Sequence, residues 1–252
     1  MGCINKANGL YSRMSVGAVL LAAGSASRLG SRPKCLLELG GVPLVMRQLI
    51  ALSGAGVDEV VVVLGHYADQ VEAAVAHLPI NLVRNPSPDD GQASSVRLGL
   101  EALSPQLDAV IVALADQPMI DAPDITTLIS AFRQRGDKAM VVPRLQSTDG
   151  KWVPGNPVIL SGELRQQWLA GQDDAMCRTW RQQHPEQIEW LDTNNRHYTT
   201  DLDTPEDLKR FEAETGHALI WPGTVEPLAP PPAPVTTHSS LASAADKPVS
   251  AA

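Results

Sequence analysis

Polar residues of chemical interest gather where apolar runs stop. The stretch VLLAAGSASRLGSRPK (19–34) begins apolar, ends its run at Gly24, and continues through Ser25, Ala26 and Ser27 to two separated cations, Arg28 and Lys34. Glycine permits a tight exit from a strand, small side chains let backbone N–H groups approach an anion, and cations add charge-assisted hydrogen bonds. Such a loop suits a phosphate chain, although taken alone it is also an ordinary strand–helix connection. Its spacing is neither G-x-G-x-x-G nor G-x-x-x-x-G-K-[ST], because Gly30 is followed by Ser31 and Arg32. The dinucleotide and P-loop readings therefore lose ground.

Asp116 closes the run ALADQP. A carboxylate there is either a turn former or, beside a triphosphate, a ligand for Mg²⁺, which takes one or two carboxylates with phosphate oxygens and water. A partner carboxylate is sought in TTDLDTPEDL (199–208). Its second half is a helix start: Thr204 as N-cap, Pro205 at the first position, Asp207 three residues after the cap. That leaves Asp201 and Asp203 without a structural task. In NPSPDDGQASSVRLGL (85–100), Gly91, Ser94 and Ser95 stand just before a helical pattern. Free N–H groups and hydroxyls there either read a base edge or anion, or simply cap the helix.

These residues need elements to position them. AVLLAAG (18–24) and EVVVVLG (59–65) read as strands buried on both faces, with AVIVALAD (109–116), AMVVP (139–143) and PVIL (157–160) as further strands. Ile125, Leu128, Ile129 and Phe132 fall on one helix face, and Val96, Leu100 and Leu103 do so less completely. The alternation predicts an α/β fold: a single Rossmann-like, doubly wound, mostly parallel sheet with helices on both faces. In such sheets ligands collect beyond the C-terminal strand ends, so the loop after Gly24, Asp116 and the turn after Asn85 should converge.

The folded unit is expected over residues 16–221, after an N-terminal extension (1–15) and before a disordered tail (222–252) rich in Pro, Ala and Ser. A formal net charge of −8 argues against nucleic-acid or anionic-membrane binding. Cys3, Cys35 and Cys177 form no C-x-x-C pair and fit free thiols in a reducing cytoplasm, the expected location. The start MGCINK has Lys6 where a myristoylation signal needs Ser or Thr. No apolar run approaches membrane-spanning length. His66 reads as a polar strand-end residue, the tryptophans as packing, and no nucleophile elbow or Ser/His/Asp order is present.

LAAGSASRLGSRPK resembles the signature L-A-A-G-x-S-x-R-[ML]-G-x(2,3)-K of the nucleotidyltransferase family that includes molybdenum cofactor cytidylyltransferase. ALADQP is similar to the family's L-x-D-x-P, DLDTPED to its D-[IV]-D-T-P-[ED]-D, and NPSPDDGQASS to its N-P-x(4)-G-x(2)-S-[SV]. The resemblance covers residues 17–212. It implies that Arg28 and Lys34 hold the triphosphate and departing pyrophosphate, and that Leu21, Ala22, Ala23, Gly24 and Ser27, with Gly91, Ser94 and Ser95, bind the nucleotide. Asp116 and Asp201 would bind Mg²⁺, with Asp203 the second choice. L-A-A-G implies CTP, since guanylyltransferase relatives read L-A-G-G. The acceptor would be the molybdenum–molybdopterin cofactor, and a molybdenum hydroxylase the client. Gly155, Asn156 and Pro157 match a G-[HN]-P turn on the acceptor side. GQDDAMCR (171–178) departs from the family's G-D-x-G-A-R by losing its second glycine, with Gly171, Asp173 or Asp174, and Arg178 as remnants on the acceptor side. Another phosphorylated acceptor, such as a sugar phosphate, and a noncatalytic cofactor-delivery role are the alternatives.

Overall fold

The computed structural model describes residues 13–171 and 177–223. Along the chain come β1 (Val16–Ala22), the short strands β2 (Glu38–Leu39) and β3 (Val42–Pro43), α1 (Leu44–Gly54), β4 (Glu59–Leu64), α2 (Ala68–Val75) and β5 (Asn81–Arg84). Then follow α3 (Gln92–Ala102), β6 (Ala109–Leu114), α4 (Ala122–Gln134), β7 (Met140–Gln146), β8 (Trp152–Pro154), β9 (Val158–Ser161), α5 (Gly162–Ala170) and α6 (Arg178–Gln183). β10 (Ile188–Asp192), α7 (Pro205–Thr215) and β11 (Leu219–Ile220) complete it. Residues 224–252 of the tail expected at 222–252, and residues 172–176 of the divergent GQDDAMCR element, lie outside the described residues.

An 8-stranded sheet has the order β10-β7-β9-β6-β1-β4-β5, with β8 also paired to β7. β1 shows why the apolar runs are continuous. Ala18, Leu20 and Ala22 enter one core with α1, α2 and α4, whereas Val19 and Leu21 enter the opposite core with α3 and α5. Strands covered on both faces have no solvated side to place polar residues on. The predicted face of α4 is observed, with Ile125, Leu128, Ile129 and Phe132 all buried.

β9 runs antiparallel to both of its neighbours, β6 and β7. The short turn at 147–151 returns the chain along β7 as β8, and a parallel return would need a long crossover. Past the turn at 155–157 the same direction continues into the gap beside β6. The small sheet β11-β2-β3, packed with α7, has strands too short to carry an apolar signal in sequence. No helix among the described residues is long and apolar enough to cross a membrane.

Chain order reverses at β1, whose neighbours are β4 on one side and β6 on the other. That reversal opens a crevice at the C-terminal strand ends. Ser15, one residue before β1, is tied to Asp108 through its backbone N–H (2.7 Å).

Candidate active site

The crevice is a cavity of about 380 Å³. Its walls include Leu21, Ala23, Gly24, Ser27 and Arg28 from the loop after β1, Lys34, Gly91 and Ser95 at the start of α3, and Asp116, Asp201 and Asp203. The register explains part of this meeting. Leu21 pairs with Leu114, and the Ala115 N–H donates to the Leu21 carbonyl (3.0 Å), so Asp116 emerges beside the loop.

The loop turns on Ala26, which adopts a left-handed conformation at φ 47°. Its carbonyl accepts from the N–H groups of Leu29 (2.9 Å) and Ser31 (3.2 Å). An alanine held there costs about 1–2 kcal/mol, so neighbouring contacts must fix the loop. Residues after β4 supply them. Tyr67 donates its hydroxyl to the Ser25 carbonyl (2.5 Å), and His66 Nδ1 donates to the Ala23 carbonyl (2.9 Å). His66 Nε2 lies 2.9 Å from the Asp89 carboxylate in the turn before α3, joining both walls. A Cβ at Gly65 would stand 2.5 Å from the Ala23 carbonyl oxygen. Gly65→Ala therefore displaces the loop backbone, with an expected loss of about 1–3 kcal/mol in stability and a higher nucleotide KM. A nucleotide titration and thermal melt check this; an unchanged KM contradicts the support role.

Lys34 is largely buried, and its ammonium sits 2.7 Å from Asp116 and 2.7 Å from Asp203. Burial disfavours its charge, but the two carboxylates outweigh that and raise its pKa. Asp201 shares the cavity. Crowding at the rim withdraws water from its carboxyl, and Asp116 and Asp203 repel its charge, so its pKa is raised; Lys34 and a hydrogen bond from Gln117 offset part of this. The folded chain thus keeps the Asp201 proton to higher pH than the unfolded chain does. Between those two values the fold loses stability as pH rises. At neutral pH, metal-free Asp201→Asn protein should melt about 1–2 °C above the parent, the scale of one partly exposed electrostatic contact. A lower melting temperature contradicts the repulsion.

Such a cluster fits a divalent cation. Its carboxylates already gather around a positive group, the Lys34 ammonium, and all are oxygen donors of the kind Mg²⁺ prefers. Asp121, Asp124 and His197 also bring ligand atoms within 4.8 Å of one another. Their bonds are spoken for. Asp121 and Asp124 form the capping box of α4, and Asp124 also accepts from Asn195 Nδ2 (2.6 Å) and His197 Nδ1 (2.8 Å). The cluster latches the segment leading to Asp201 onto α4.

Several expected residues are placed differently. Ala22 points into the core below the cavity. Ser94 is absorbed by Asn85 Nδ2 (2.9 Å) and the Gly91 carbonyl (2.8 Å), so it braces the turn before α3. Gly155, Asn156 and Pro157 are not in the cavity wall; they pack behind Asp116, joined by a cis Asn156–Pro157 bond. Arg178 does not join them. It starts α6, whose Trp180 lines a separate cavity with Ser161, at the opposite end of the sheet. Sequence reasoning missed Gln48, Tyr67 and Gln117, whose task lies in tertiary contacts that no local spacing announces. The Thr204–Asp207 capping box is legible in sequence and is observed. Cys35 is buried, which pushes its thiol up to about 12.

Residues 18–188 match the family described as MobA-like NTP transferase domain. The chain is 31% identical over 197 residues to nicotine blue oxidoreductase of Paenarthrobacter nicotinovorans, covering 78% of this chain and 96% of that protein. It is 36% identical over 140 residues to bifunctional protein GlmU of Clavibacter sepedonicus, covering 54% of this chain and only 28% of that relative's length. The crystal structure of Rv0371c from Mycobacterium tuberculosis superposes with a TM-score of 0.63 at 25% identity, covering 79% of this chain and 98% of that one. With more than half of its residues matched and a crevice built from the expected loop, strand end and carboxylates, the chain belongs to the MobA-like NTP transferase family.

Proposed function

We propose that the protein is a Mg²⁺-dependent cytidylyltransferase that moves CMP from CTP to a phosphorylated acceptor, the molybdenum–molybdopterin cofactor, in the cytoplasm. The observation that supports this best is the meeting of Arg28 and Lys34 with Asp116, Asp201 and Asp203 in one cavity. In the proposed reaction a phosphate oxygen of the acceptor forms a bond to the α-phosphorus. The bond from that phosphorus to the α–β bridging oxygen breaks, and its electron pair leaves with pyrophosphate. An ionised phosphate needs no general base, which suits a cavity with no histidine among the described residues of its walls.

Asp116 and Asp201 would hold the metal, which supplies charge neutralisation at the phosphates when bound. Arg28, exposed on the loop, would meet the β- and γ-phosphates, and Lys34 would turn its ammonium from the carboxylates toward the leaving group. Ala23, Gly91 and Ser95 would face the nucleoside. A client molybdenum hydroxylase would take the product.

The relative named as an oxidoreductase supplies a competing reading, against which the loop spacing weighs because it is not a dinucleotide fingerprint. The acceptor is tested by supplying CTP and Mg²⁺ with molybdenum–molybdopterin, or with a panel of sugar phosphates, and identifying the product by mass. A cytosine dinucleotide of the pterin is expected. A nucleotide sugar would redirect the acceptor, and NADH consumption with nicotine blue but no nucleotidyl product would overturn the reading.

A further inference from the structure

We propose that Gln117 is the positioning residue of the metal-binding pair, a buried carboxamide that fixes the placing of Asp201 against Asp116. The inference rests on the metal-dependent reading of this site.

Gln117 follows Asp116 directly and is fully buried. Its Nε2 donates to the carbonyls of Asn156 (3.3 Å) and Tyr198 (3.3 Å), and its backbone carbonyl accepts from the equally buried Gln48 Nε2 (2.6 Å). The Tyr198 carbonyl accepts in addition from the Asn156 N–H (2.8 Å), while the Tyr198 hydroxyl donates to the Asp124 carbonyl (2.9 Å). Gly155 is needed for this closeness, because a Cβ there would lie 2.4 Å from the Tyr198 oxygen. Three segments thus meet at one amide: the strand end bearing Asp116, the 155–157 turn, and the stretch from Tyr198 to Asp201.

Packing alone does not account for the residue. Gln117 Oε1 is buried with no hydrogen-bond partner among the described residues, a penalty that an apolar side chain of equal length would avoid. What the apolar side chain would lack is the donor that ties the carboxylate-bearing segments together. Groups that hold ligating carboxylates in place act on metal affinity by about 10–100-fold.

The test uses the full chain and Mn²⁺ as the probe, with free Mn²⁺ measured by electron paramagnetic resonance, alongside metal-free CTP binding. Gln117→Met keeps the length and removes the donor. It should bind Mn²⁺ about 10–100-fold more weakly, with metal-free CTP affinity within about twofold of the parent. Gln117→Asn, with its amide withdrawn by one methylene, should weaken Mn²⁺ binding in the same direction. A folded Met variant with parental Mn²⁺ affinity overturns the proposal, as does failure of both variants to fold, which would make Gln117 a folding residue. If the parent protein releases pyrophosphate normally while the variants bind Mn²⁺ unchanged, only this inference falls. If the parent binds no Mn²⁺ and releases no pyrophosphate, the functional reading falls with it.

Discussion

Asp116→Asn should lower kcat for pyrophosphate release by at least about 10³-fold at saturating CTP and Mg²⁺, with the fold preserved. Asparagine is nearly isosteric, and the backbone at this point is held by the Ala115–Leu21 bond, so the side chain should keep its place. What disappears is a charge that meets Lys34 and, in the proposed reaction, would meet the cation. Stability should change little, because the lost Lys34 pair is opposed by relief of repulsion with Asp201. Steady-state rates and a thermal melt on the same preparation check both parts. A variant retaining about a tenth of the parental kcat would show that Asp116 is not a metal ligand.

Lys34→Met should lower kcat by about 10²–10³-fold, the scale for removing one preorganised donor from developing charge. A second effect separates this role from a structural one. The ammonium sits between Asp116 and Asp203, so an arriving cation must compete with it. Removing the lysine leaves those carboxylates uncompensated. Mn²⁺ binding without nucleotide should therefore tighten while turnover collapses. The variant should also melt at a lower temperature when metal-free and recover on adding Mn²⁺. Weaker Mn²⁺ binding together with slower turnover would contradict the competition.

Much of this site is legible in the amino-acid sequence, because its parts are local. A strand that stops at Gly24, a cation at Lys34 and a carboxylate at Asp116 each sit in contiguous sequence, and the parallel sheet brings strand ends together by rule. Motif matching ranks Asp203 behind Asp201, yet Asp203 holds Lys34; which of two nearby carboxylates reaches a lysine 169 residues away is decided by tertiary packing. The same limit hides Gln117, Tyr67 and Gln48, which act through backbone carbonyls that any residue type could offer. The direction of β9 is hidden too, since a buried run reads alike in either sense. The Arg178 expectation follows a pattern whose spacing is already broken, and α6 carries that residue away from the cavity.

The central claim is that the cavity between Arg28, Lys34 and Asp116 performs nucleotidyl transfer. The most direct measurement is pyrophosphate release by the parent protein with molybdenum–molybdopterin, Mg²⁺ and each of the four common ribonucleoside triphosphates in turn. The account predicts metal-dependent release with CTP, at least about tenfold faster than with ATP, GTP or UTP. Nucleotide binding without pyrophosphate release from any of them would contradict it.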